Sequence, residues 1–298
     1  MKKIISELQK GRLLVSDGAW GTFLQQKGLK PGECPESWNI SRPHDVLSIA
    51  HSYIDAGADL VETNSFGGSM FKLEKFGMAD KVREFNKAAA EISRKAAGPD
   101  RFVMGSIGPT GKLLLMEEVT EKELYEAFKE QSMALEEGGV NAIMIETMTD
   151  LDEARIAVKA ARENTECEVF CTMTFDKIIG GGYRTMMGIS PSEMAEALVD
   201  AGADLIGTNC GNGMEDMVGM VREIRAINKF IPILVHANAG RPLYHDGVTT
   251  FPETPEDMAG RVKAVIDAGA NIVGGCCGTT PEHIRKIADV VKSLSNHK

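Results

Sequence analysis

The phrase DAGADLIGTN at residues 200–209 recurs as DAGADLVETN at 55–64 and as DAGANIVGGC at 267–276, with a looser copy, EEGGVNAIMIET, at 136–147. Each copy reads as the end of a helix, a glycine turn and a short apolar strand. Between the copies lie further strand-length apolar runs: RLLVSDGA from Arg12, RFVMGSIG from Arg101, EVFCTMTF from Glu168 and IPILVHANAG from Ile231. Helix-period segments separate them, at 44–56, 79–97, 121–137, 151–164, 191–201, 214–228, 255–268 and 281–294, several opened by capping signals such as SPSE and TPEH. Eight strands alternating with eight helices, the strands apolar on both faces, predict a (β/α)8 TIM barrel in the α/β class. A doubly wound open sheet is the rival, but the eight units consume the chain, so a single barrel domain over 1–298 is expected.

With 43% hydrophobic and 26% charged residues in a chain of 298, there is material for one large core. A net charge of −10 argues against nucleic acid or an anionic membrane as partner. The early apolar residues are interrupted by Glu7, Gln9, Lys10 and Arg12, and no apolar run approaches the roughly 18 to 20 residues of a membrane span. A cytoplasmic protein is the expectation, and in a reducing compartment the six cysteines do not read as a disulfide framework.

In a barrel of this kind the active site lies where the strands end. The residues there include Asp17, Gly18, Glu62 to Ser65, Ser106, Glu146, Thr147, Asn209, Cys210, His236 to Asn238, Cys276 and Cys277. Cys276 and Cys277 alone fit core packing, a metal or a strained vicinal disulfide. Adding Cys210 from a second strand end favours a metal, because three thiolates are a soft set that suits Zn²⁺ and leaves one position open. A thiolate-rich zinc is a poor activator of water but binds and deprotonates a thiol, which points to alkyl transfer to sulfur. The remaining cysteines, Cys34, Cys167 and Cys171, are not expected to bind metal, and Cys171, within the fifth strand, is expected to be packed.

The chain resembles the homocysteine S-methyltransferase family, the zinc barrel of cobalamin-dependent methionine synthase and of betaine-homocysteine methyltransferases. The matching pieces run from DGAWGT at 17–22 through TNSFGG at 63–68, GSIGPTG at 105–111, IET at 145–147, TNCG at 208–211 and NAG at 238–240 to GGCCGT at 274–279. The resemblance implies a methyltransferase with Zn²⁺ held by Cys210, Cys276 and Cys277, and with Asn238 at the open position before substrate arrives. It further implies that Asp17 and Glu146 hold the ammonium of homocysteine and that the backbone at Gly18 and Ala19 cradles its carboxylate. Taken by themselves, Asp17 reads equally as a cap and Glu146 as an ion-pair partner.

The methyl donor is less determined. Animal-type betaine enzymes carry tyrosines at the places occupied here by Gly67 and Thr147, a departure that favours methyl delivery by a separate corrinoid protein. Folate- and cobalamin-binding domains are not expected in a chain of this length. Betaine stays open through an alternative aromatic cage of Trp20, Trp38, Phe66 and Tyr183, as do S-methylmethionine and S-adenosylmethionine. The glycine-rich IIGGGYRT at 178–185 reads as a flexible loop near the mouth. A function of another class, a zinc-stabilised module that docks a corrinoid protein or acts as a sensor, would have no need of an ammonium site.

Overall fold

A computed structural model describes residues 3–245 and 248–295; the other positions of the expected 1–298 domain lie outside the described residues. The barrel strands are β1 (Leu14–Val15), β2 (Leu60–Glu62), β3 (Phe102–Ile107), β4 (Ala142–Met148), β5 (Glu168–Met173), β6 (Leu205–Asn209), β7 (Ile233–Ala237) and β8 (Ile272–Gly275). They pair in parallel in chain order, β8 returns to β1 through Leu14 opposite Ile272, and a bridge between Ser16 and Leu60 closes the ring. The (β/α)8 barrel predicted from the repeats is therefore present, and the open-sheet rival is excluded by the closure.

Each strand is followed by its helix: α1 (Pro43–Asp55), α2 (Val82–Ala97), α3 (Glu121–Glu137), α4 (Leu151–Asn164), α5 (Pro191–Asp200), α6 (Met214–Ile227), α7 (Pro255–Ala268) and α8 (Pro281–Ser295). Capping boxes formed by Thr120 with Glu123, Ser190 with Glu193 and Thr254 with Asp257 fix three of the starts. The helix expected from Ala79 instead opens with a 3-10 turn, Ala79–Lys81, before α2.

Alternation along the strands sorts the barrel into layers. One set of side chains, Val61, Val103, Ile143, Ile145, Val169 and Ile206 among them, packs outward under the helices. The other set fills the lumen: Leu14, Leu60, Phe102, Met104, Ala142, Met144, Phe170, Leu205, Leu234 and Ile272 form one buried cluster. A short N-terminal helix, Ile4–Gln9, buries Ile4 and Leu8 in that cluster and donates its Ile4 and Ile5 N–H groups to the Glu168 carboxylate at 2.7 and 3.1 Å. It stoppers the end of the barrel where the strands begin. Further along the lumen-facing rows the side chains turn polar: Ser16, Glu62, Ser106, Glu146, Thr172 and His236 lie two residues on, and Asn209 lies four beyond Leu205 with Gly207 between, all buried. The same alternation that makes the core thus aims a polar layer at the opposite end.

Candidate active site

Four members of the polar layer, Glu62, Ser106, Glu146 and His236, line a cavity of about 290 Å³ at the ends of the strands. Its wall includes Glu62, Glu146, Cys210, His236, Cys276 and Cys277, with Trp20 and Phe66 above them. No Lys or Arg is among the described residues that line it.

The three sulfurs expected to meet do so. Cys210 Sγ lies 4.0 Å from Cys277 Sγ, and the Cys210, Cys276 and Cys277 sulfurs all fall within 4.8 Å of one another. Sulfurs bound to one tetrahedral zinc at about 2.3 Å are roughly 3.8 Å apart, so the spacing fits such an ion with small adjustment. Two backbone devices produce the cluster. β8 stops at Gly275, and Gly278 takes φ +79°, where a Cβ would lie 2.3 Å from the Phe251 ring, so adjacent cysteines leave strand geometry and turn to one point. At the end of β6, Cys210 itself adopts φ 62°, an uncommon conformation for a side-chain-bearing residue, held by its N–H on the His236 carbonyl and its carbonyl on the Asn212 N–H. Hydrogen bonds from the two neighbouring thiols hold Cys210 ionised, its pKa lowered to about 3, while the same sharing pushes Cys277 up to about 12 and Cys276 upward.

Asn238 lies against this cluster. Its side chain hydrogen-bonds Cys210, its N–H donates to the Asn212 carbonyl at 3.0 Å, and its Oδ1 is buried without a partner. An orphan oxygen beside three thiols fits a further ligand to a cation. Of the remaining cysteines, Cys34, Cys167 and Cys171 are all buried, and desolvation alone raises the Cys171 thiol far above its ordinary value.

The carboxylates divide into two environments. Glu146 accepts hydrogen bonds from Ser106 Oγ and, at 3.3 Å, from Asn209 Nδ2, and burial with the charges of Asp17 and Cys210 raises its pKa to about 7. Asp17 is saturated: Oδ1 accepts from Ser16 Oγ at 3.1 Å, and Oδ2 accepts from Trp20 Nε1 at 2.9 Å and the Glu62 N–H at 2.8 Å. Burial nevertheless raises its pKa to about 6. The Gly18–Ala19 turn is bound to the thiol loop through Thr279, whose Oγ1 accepts the Ala19 N–H at 3.1 Å and donates to the Cys276 carbonyl at 2.7 Å. Tyr53 Oη fixes the Ala19 carbonyl at 2.7 Å.

Glu62 and His236 were placed at strand ends by the sequence but given no role. In the structure they face each other, His236 Nδ1 to Glu62 Oε1 at 3.6 Å, and both Glu62 Oε1 and His236 Nε2 are buried without hydrogen-bond partners. Their signal was available in the period of two, since each follows a lumen leucine, Leu60 or Leu234, by two positions. Of the four aromatics of the expected cage, Trp20 and Phe66 line the cavity. Trp38 is instead buried under the Arg42 guanidinium at 3.9 Å. Tyr183 belongs to a small hairpin, Asp176–Lys177 with Tyr183–Arg184, formed by the glycine-rich loop; the hairpin leans on α6 through Lys177 and Asp216 at 3.2 Å and through the Tyr183 ring packed on Gly219.

Comparison with known proteins agrees with this architecture. The chain is 33% identical over 298 residues to a methionine synthase of Mycobacterium leprae, covering 94% of the chain and 24% of that protein. It is 32% identical over 301 residues to a methionine synthase of Mycobacterium tuberculosis, covering 95% of the chain and 25% of that protein. The chain thus spans about a quarter of the length of these relatives. The metallated form of the homocysteine methyltransferase MmuM from Escherichia coli superposes with a TM-score of 0.77 at 20% identity, over 95% of this chain and 98% of that one, which establishes the common barrel. The sequence profile of the family described as homocysteine S-methyltransferase matches residues 14–291, and the chain belongs to that family.

Proposed function

We propose that the protein transfers a methyl group to the thiol of homocysteine to give methionine, using zinc held by Cys210, Cys276 and Cys277, and that the methyl group arrives on a separate corrinoid protein. One observation carries the reading. Three thiols and two buried glutamates converge on a cavity of about 290 Å³, large enough for a small amino acid, that has no cationic side chain of its own among the described residues. Such a site calls for positive charge from its ligands, and a metal with a substrate ammonium supplies it.

Zinc held by Cys210, Cys276 and Cys277 would supply the acidity that makes an incoming thiol a nucleophilic thiolate at neutral pH. Asn238 would offer its unpartnered Oδ1 to the fourth position in the absence of substrate. Glu146, held by Ser106 and Asn209, faces the substrate ammonium, and the Gly18–Ala19 turn, braced by Thr279 and Tyr53, stands where the substrate carboxylate would be met. The thiolate sulfur then attacks the methyl carbon in line: the new C–S bond forms as the bond from methyl to donor breaks, and the electron pair of that bond stays with the donor.

Two features support a protein-borne methyl group over betaine. With only Trp20 and Phe66 of the four candidate aromatics on the cavity wall, no closed cage for a quaternary ammonium is assembled from that set. The loops around the mouth also expose large apolar side chains, including Leu115 at 79%, Ile179 at 105%, Met186 at 79% and Tyr244 at 77%, a surface suited to cover by a partner. The test is methionine formation from homocysteine with a methylated corrinoid protein, betaine and S-methylmethionine supplied separately. Turnover with the corrinoid protein is expected; turnover with betaine alone would overturn the donor assignment, and full activity of zinc-free protein would overturn the mechanism.

A further inference from the structure

We propose that Asp216 is a positioning residue that couples metal retention to the closure of one side of the mouth. Through Arg241 and Asn212 it holds the turn that carries Cys210, and through Lys177 it fastens the hairpin after β5 to the same point. The proposal rests on the zinc reading above and adds to it a residue outside the cavity wall.

Asp216 owes its freedom to the way α6 begins. At α3, α5 and α7 the third helical residue, Glu123, Glu193 or Asp257, folds back on an N-cap threonine or serine to close a capping box. Asp216 occupies the same third position of α6, but the N-cap there is Gly213, which has no side chain to share. Its carboxylate turns instead to two loops. Oδ1 accepts from Lys177 Nζ at 3.2 Å, and Oδ2 lies 3.3 Å from Arg241 Nη2. Both cations are half exposed, whereas the Asp216 side chain is only 16% exposed, so the acid is the fixed member of each pair.

From Arg241 the contacts run inward to the thiols. The same Nη2 donates to Asn212 Oδ1 at 3.2 Å, and Asn212 is buried. Its Nδ2 donates to the Phe175 carbonyl at 2.6 Å, just ahead of the β5 hairpin. Its N–H donates to the Cys210 carbonyl at 2.8 Å, and its carbonyl accepts the Asn238 N–H at 3.0 Å. Cys210 and Gly211 both take positive φ, 62° and 72°, and for Cys210 such a backbone persists only where its surroundings hold it. A buried asparagine that clamps the ends of β5, β6 and β7 is such a holder, and the guanidinium tied to Asp216 fixes its side-chain oxygen. Partly exposed ion pairs contribute too little to decide the stability of a whole barrel, so their effect falls on these loops.

The test measures two rates in the zinc-loaded protein: transfer of zinc to a chelator, and thermolysin cleavage at the exposed Ile178 and Ile179 of the hairpin. Asp216→Asn should speed both by about three- to tenfold, the scale of one or two partly exposed ion pairs. Arg241→Gln should speed zinc transfer alone, and Lys177→Gln cleavage alone. Adding Arg241→Gln to Asp216→Asn should change zinc transfer by no more than about twofold further, because the two residues act in one chain of contacts. Asp216→Glu, which keeps the charge, should recover most of both losses. A merely structural role would instead move both rates with every substitution, in step with the urea midpoint. Asp216→Asn with wild-type zinc transfer would overturn the proposal and leave the zinc reading standing. If Asp216→Asn does not fold, its half-exposed partners decide: Arg241→Gln without effect on zinc transfer, or Lys177→Gln without effect on cleavage, overturns the coupling. A wild type that takes up no zinc would remove the zinc reading itself, and this proposal with it.

Discussion

Cys210 and Cys277 come from strand ends 67 positions apart in the chain, yet their sulfurs are 4.0 Å from each other, and each is bent into place by a backbone that has left strand geometry. The thiol cluster proposed to hold zinc is therefore a property of how β6 and β8 terminate. Cys210→Ser should lower zinc from about one ion per chain to near zero and abolish methyl transfer, whereas Cys171→Ser, in the packed middle of β5, should keep the metal and cost only stability. Elemental analysis of the purified variants checks both.

The glycine after the cysteine pair should matter almost as much as the cysteines. At Gly278 an alanine would meet both an unfavourable φ of +79° and the Phe251 ring at 2.3 Å. Gly278→Ala is expected to destabilise the protein by about 1–3 kcal/mol and to weaken zinc retention against a chelator at least tenfold. Unchanged chelator resistance would show that the turn does not aim the thiols.

Glu146 gives a pH signature in the metal-free protein. Its pKa is raised from 4.5 to about 7, so between those values the folded chain holds a proton that the unfolded chain has released. This contribution makes stability fall as pH rises through the window, reaching its full penalty above about 7. Glu146→Gln, which cannot ionise, should melt a few °C above wild type at pH 8 and close to it at pH 4.5; a difference of the opposite sign would contradict the burial argument.

At the far end of the barrel the N-terminal helix should contribute stability without touching the chemistry. Ile4 is fully buried in the lumen cluster, so Ile4→Ala should cost about 2–5 kcal/mol in denaturant unfolding. Zinc content and homocysteine affinity should be unaltered.

The apolar rim makes a separate claim about the donor. Leu115→Glu and Tyr244→Glu together should lower turnover with a methylated corrinoid protein by about tenfold or more and leave homocysteine binding unchanged, as measured by steady-state kinetics and calorimetry. Equal turnover would remove the rim from the docking surface.

The barrel was legible because its cause is local and repeated: helix end, glycine turn and apolar strand recur in DAGADLVETN, DAGADLIGTN and DAGANIVGGC, and parallel strands buried on both faces must be apolar throughout. The cysteine triad was legible too, since thiols at strand ends of a closed barrel have one mouth to share. Less could be read where the answer depends on hydrogen-bond partners far away in the chain. Nothing near Asp17 in sequence shows that the Glu62 N–H will occupy its Oδ2, nor that Glu62 Oε1 will be left without a partner beside His236. Nor could the aromatics be sorted, because Trp38 and Tyr183 are drawn aside by Arg42 and Gly219. Periodicity and strand order decided which residues reach the mouth; which of them still have a free oxygen to offer was decided only by the tertiary packing, since a buried polar atom is satisfied or orphaned by whatever the fold brings against it.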